Sequence, residues 1–154
     1  MTQQEYTEML TGYLTQLADA SRWLERSLAL CGDAFGKPTL DPGDYDAFEA
    51  LTSRFARVAD ILLQKVFRCL DAIEMEEGGT LLDALNRAEK RGLISSVEWF
   101  RLVREVRNEI AHEYSVADLL ALFQSVQHYA PELLDAVRST RRYCGKYVPG
   151  EKNV

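Results

Sequence analysis

The chain has 154 residues, 47% of them hydrophobic and 27% charged, which suits one globular domain with a buried core. Its net charge of -6 argues against nucleic-acid binding through bulk positive charge, so an RNA-binding reading needs its arginines gathered in one place. Cys31, Cys69 and Cys144 are odd in number and far apart, which favours reduced thiols over a disulfide framework or a zinc knuckle.

The first residues, MTQQEYTEML, lack a basic segment followed by an apolar one, and no apolar run approaches the roughly 20 residues that span a bilayer. A cytoplasmic protein without membrane contact is the expectation. In the first segment Tyr6, Leu10, Tyr13, Leu17, Ala20, Leu24, Leu28 and Cys31 recur at three- and four-residue steps, predicting one long helix. The stretch from 32 to 44, GDAFGKPTLDPGD, carries two prolines and three glycines and reads as the longest loop.

A second long helix is predicted from Tyr45 to Glu76, with Phe48, Leu51, Phe55, Val58, Leu62, Val66, Cys69 and Ile73 on its inner stripe. Gly78 and Gly79 end it. Thr80 with Asp83 forms a capping-box pattern for a short helix that Gly92 closes. Ser95 with Glu98 repeats the signal for a fourth helix, whose inward stripe reads Trp99, Val103, Val106 and Ile110.

Ser115 with Asp118 opens a fifth helix, in which Pro131 is expected to introduce a kink or a split. No strand-like alternation competes. The predicted fold is all-α, an up-and-down bundle of about five helices in a single domain over residues 1–145, followed by a disordered tail over residues 146–154.

Between the fourth and fifth helices lies RNEIAHEY, residues 107 to 114. On an ideal helix His112 falls roughly 150° from the core stripe and roughly 140° from Arg107, so it faces away from its own core if the helix persists that far. Arg104, Asn108 and His112 share this outer face at four-residue spacing. Arginine with histidine five positions on is expected about 0.2 times by chance in such a chain, and about 0.01 times once the tyrosine is required. Two plainer readings stand beside a site: a solvated face of weak ion pairs, and a Tyr114 packed on the junction.

Elsewhere the chemistry-bearing residues are isolated. Asp41/Asp44 and Glu76/Glu77 lack His or Cys companions at ligand spacing, so no metal site is expected. His128 reads as surface. Arg138, Arg141 and Arg142 form a basic patch at the end of the last helix, where cations favour the helix terminus.

Arg107, His112 and Tyr114, in a small acidic helical bundle, give the pattern Arg, four residues, His, one residue, Tyr, which resembles the HEPN superfamily and within it the HepT-like toxins of HepT/MntA systems. The resemblance covers about residues 45 to 143. It implies a homodimer whose paired Arg107 and His112 meet in an interface cleft, and a metal-independent ribonuclease of a type VII-like toxin-antitoxin pair. Histidine titrates near neutrality and moves the proton, while arginine holds the phosphate. Arg107 and His112 are then catalytic and Asn108 and Arg104 supporting. A minimal nucleotidyltransferase antitoxin partner would transfer AMP from ATP onto Tyr114 to silence the toxin. The chain itself then needs no cofactor, and no DNA is expected. The alternative is a non-catalytic helical partner, a substrate-binding subunit, of a small nucleotidyltransferase.

Overall fold

A computed structural model describes residues 1–76, 78–112 and 115–151. It is all-helical, a bundle of five helical rods with no strand among the described residues. The first rod is α1 (Gln3–Cys31). Thr2 caps its start: its side chain accepts from the Glu5 amide while Glu5 bonds back to the Thr2 amide. The second rod comprises α2 (Pro42–Asp60), a π-helical segment (Ile61–Phe67) and α3 (Arg68–Ile73), joined without a break because Ile61 and Arg68 keep right-handed helical dihedrals. The short α4 (Leu81–Lys90), α5 (Val97–Glu109) and the long α6 (Val116–Cys144) complete it.

Side-chain pairings fix the directions. Lys65 reaches Gln16 and Arg54 reaches Ser27, so the second rod runs antiparallel to α1. Phe100 meets the Phe67 ring and Arg107 meets Asp60, so α5 runs back along the second rod. Phe123 stacks on Phe48 while Tyr143 bonds Glu74, so α6 runs parallel to α2 and antiparallel to its chain neighbour α5. The rods alternate up and down, as short connections require.

The eight stripe residues expected for the second rod are all buried. Other expectations shift. The second rod starts at Pro42, inside the expected loop, because proline is tolerated at a first helical position and Asp41 with Asp44 forms a capping box around it. Those two carboxylates thus serve a helix start and the Lys37 ammonium. The loop that remains contains a 3-10 turn, Ala34–Gly36. The rod ends at Ile73, where Glu74 leaves helical geometry and Met75 takes a positive φ of 58°. The α5 cap is Ser96, one residue later than expected. Its buried stripe is Phe100, Val103 and Val106, with Trp99 and Ile110 only half-buried; a one-residue rotation of the stripe brings Phe100 against Phe67.

Pro131 does not split α6, which continues as one 29-residue helix. The residue is exposed, so its ring projects from the outer face of the helix, and flanking Ala130, Leu133 and Leu134 are buried against the bundle. Packing on that face keeps the turn helical where propensity alone would end it.

Residues 146–151, part of the expected tail, lie against the bundle. Tyr147 donates to Glu74 at 2.9 Å and Tyr143 to the same carboxylate at 2.7 Å, while Arg141 pairs with Glu151 in the 3-10 turn Pro149–Glu151. Residues 152–154 lie outside the described residues. Beneath this strap, buried Asp71 takes Arg91 at 2.6 Å and Arg87 at 3.2 Å. Burial acts to raise the Glu74 carboxyl, but the two tyrosine hydroxyls and the Arg91 cation outweigh it and hold it below the usual range. All three cysteines are buried thiols, with Cys69 pushed up to about 11 and Cys144 to about 12 by desolvation.

Candidate functional site at the junction of α5 and α6

α5 ends at Glu109 because the chain changes from i−4 to i−3 hydrogen bonding: the Ala111 amide donates to Asn108 O at 3.3 Å and the His112 amide to Glu109 O at 3.0 Å. Ser115 then caps α6, its hydroxyl accepting from the Asp118 amide. His112 therefore stands on an exposed turn beyond the helix end, and its expected placement on the outer face of a continuing helix is corrected. The local unwinding that Arg107 and His112 would need in order to approach one another begins between them.

Arg104, Arg107 and Asn108 come together. They line one depression of about 450 Å³ whose other wall is the second rod, at Ala59, Asp60, Leu63 and Gln64. His112 does not line it. Tyr114, the expected acceptor of AMP, lies outside the described residues, as does Glu113.

Arg107 has a partner that the spacing of its own helix does not reveal. Asp60, at the last position of α2, takes its guanidinium as a fork: Nε to Oδ1 at 2.7 Å and Nη2 to Oδ2 at 2.8 Å. This hydrogen bond, opposed by a smaller desolvation effect, pushes the Arg107 pKa further up, so the group is a fixed cation. The pair uses two of the five guanidinium N–H donors, and with Arg107 about a third exposed it leaves Nη1 for a second anion. In the same depression Arg104 forms no ion pair among the described residues. An anion entering here meets Arg104, which has no ion pair among the described residues, and an Arg107 that a carboxylate has aimed.

Directly after Asp60 the second rod widens into the π-helical segment, and Leu63 and Gln64 of that segment form the floor beside Arg107. Such widening re-aims successive side chains and often accompanies functional sites. Asp60 and Gln64 are the site residues that the motif does not contain. A faint signal exists in the sequence, since Ala56, Asp60 and Gln64 form a non-core stripe at four-residue steps on a strongly apolar rod.

The other features are occupied or remote. His128 is exposed and edge-on to the Tyr129 ring. Of the expected basic patch, Arg138 pairs with Glu25 and Asp135 and Arg141 with Glu151. Among the described residues no helix is long and apolar enough to cross a membrane. Comparison of the chain with family models, with curated proteins and with solved structures finds no match.

Proposed function

We propose that the protein is a metal-independent ribonuclease of the HEPN type, acting as a homodimer in a toxin-antitoxin pair. The observation that carries this reading is the gathering of Arg104, Arg107 and Asn108 in one depression at the helix end from which the His112 turn departs. In the reaction the ribose 2′-hydroxyl attacks the adjacent phosphorus, the bond to the 5′-oxygen breaks, and a 2′,3′-cyclic phosphate is left. His112 removes the hydroxyl proton or returns one to the leaving 5′-oxygen, and Arg107 binds the charge that grows on the non-bridging oxygens. Arg104 and Asn108 hold the phosphate from the same wall.

His112 lies outside the depression within one chain, which supports a dimer in which a second copy completes the site. Tyr114 then serves as the acceptor of AMP from a minimal nucleotidyltransferase antitoxin that uses ATP. Two residues from His112 in the sequence, an attached AMP adds negative charge and bulk that would compete with an RNA phosphate. A second reading, a non-catalytic substrate-binding subunit of a small nucleotidyltransferase, is favoured by one observation: the Arg107 fork already holds a carboxylate.

Incubation of the AMP-free protein with single-stranded RNA in a chelator separates the two. The nuclease reading expects cleavage that His112→Ala reduces by at least about 100-fold, the scale of a lost acid-base group. Arg107→Lys keeps the charge but loses the fork, and should cost about 10-fold or more. RNA left intact by the parent protein overturns the nuclease reading and leaves the binding subunit.

A further inference from the structure

The Arg107 depression does not end at Asp60. Asp60 and Gln64 also line a second depression of about 520 Å³ on the far side of the rod, bounded by Gln16, Arg57 and Lys65. The two share Asp60 and Gln64 as a common wall, and the second lies on the seam between the second rod and α1. Along that seam follow three cations: Lys65, Arg57 and Arg54, spread over about 16 Å of helix.

None of the three pairs with a carboxylate among the described residues, in a chain with 24 acidic and 18 basic side chains. Neutral groups hold two of them, Lys65 and Arg54. Lys65 Nζ donates to Gln16 Oε1 at 2.9 Å and sits 5.6 Å from the Tyr13 ring centre. Arg54 donates to Ser27 Oγ at 2.5 Å and to Trp23 O at 3.4 Å, with its guanidinium 5.0 Å over the Trp23 ring, itself 50% exposed. A neutral acceptor or a ring orients a cation and leaves its charge uncancelled. Asp60, the carboxylate that lines both depressions, is already taken by Arg107.

We propose that the seam between α1 and the second rod is a binding track for single-stranded RNA, leading the strand into the Arg107 depression. Its choice of ligand rests on the nuclease reading above. Arg57, Lys65 and Arg54 meet successive phosphates, and Trp23 offers a ring face for a base, the combination of cations and aromatic platforms that single strands use. A rigid A-form duplex gains little from such a platform, because its bases are already stacked.

The test is fluorescence anisotropy of a labelled oligouridine, with His112→Ala as the parent so that no strand is cut. Arg57→Gln with Lys65→Gln should weaken binding about 10-fold at low salt, and flatten the slope of log affinity against log salt by about 1.4, at about 0.7 per phosphate contact. Trp23→Ala should weaken it by about fivefold or more with the slope unchanged. Circular dichroism and melting curves check that these surface variants fold. Equal affinity and slope in parent and double variant overturn the track, as does an equal loss of duplex RNA binding, which would signal a general polyanion surface. No binding of oligouridine by the parent also overturns it. Cleavage is read separately with His112 intact: a protein that cuts RNA while the double variant binds normally loses the track and keeps the nuclease, and the reverse result keeps the track and loses the nuclease.

Discussion

At the scale of single residues, the site turns on Asp60. In a depression proposed to take phosphate, a carboxylate opposes binding by its charge, yet its bidentate hold fixes the Arg107 fork. Asp60→Asn separates the two effects. RNA affinity should rise a few-fold, the worth of a half-exposed charge, while kcat falls because the fork is no longer held. A steady-state comparison reads this as KM and kcat falling together; a kcat that stays at the parent value would deny Asp60 any positioning role. The residues of this site differ in how far the sequence discloses them. Arg107, Asn108 and Arg104 follow from spacing along one helix. Asp60 lies 47 positions away, and a contact of that kind is made only by packing two rods.

At the scale of elements, local chemistry was the better guide. The capping residues Thr80 and Ser115 and the buried stripe of the second rod follow from hydrogen-bond geometry and 3.6-residue periodicity, and both hold in the fold. Where periodicity misled, a tertiary contact had decided: Phe100 rather than Trp99 meets Phe67, and Pro131 stays within α6 because buried neighbours hold that turn. The π-helical segment left no mark in the pattern, since the core stripe continues through Leu62 and Val66. Pro131 remains a local defect all the same, as it cannot donate to Gln127 O. Pro131→Ala restores that donor, and should raise unfolding free energy by up to about 3 kcal/mol in denaturant titration. An unchanged midpoint would mean that α6 has already absorbed the missing bond.

At the scale of the whole molecule, charge and the C-terminal segment matter most. Within a net charge of -6, acids pair with Arg87, Arg91, Arg138 and Arg141, whereas Arg54, Arg57, Lys65 and Arg104 are among the cations without a carboxylate partner among the described residues. The C-terminal strap was invisible in a polar sequence because its anchor, Glu74, lies 73 residues before Tyr147. Burial, and then the hydrogen bond to Glu74, push Tyr147 up to about 12 from an ordinary value of 10.0, and Tyr143 upward likewise. A raised tyrosine keeps its full contribution below pH 10.0 and loses it as pH climbs through its folded value, so stability should fall between pH 10.0 and about 12. Unfolding followed across that window should show the fall in the parent and a smaller one in Tyr147→Phe; identical pH profiles would contradict the strap. The predicted helical bundle, by contrast, was legible throughout, since its rods are long and periodic.

The central claim is that Arg107 and His112 serve cleavage of RNA by its own 2′-hydroxyl, and the chemistry of the product ends tests it most directly. The AMP-free protein should cut a single-stranded oligoribonucleotide in a chelator, leave a 2′,3′-cyclic phosphate detectable by mass, and spare the same strand carrying 2′-O-methyl groups. Intact RNA, or equal cutting of both strands, would contradict the account.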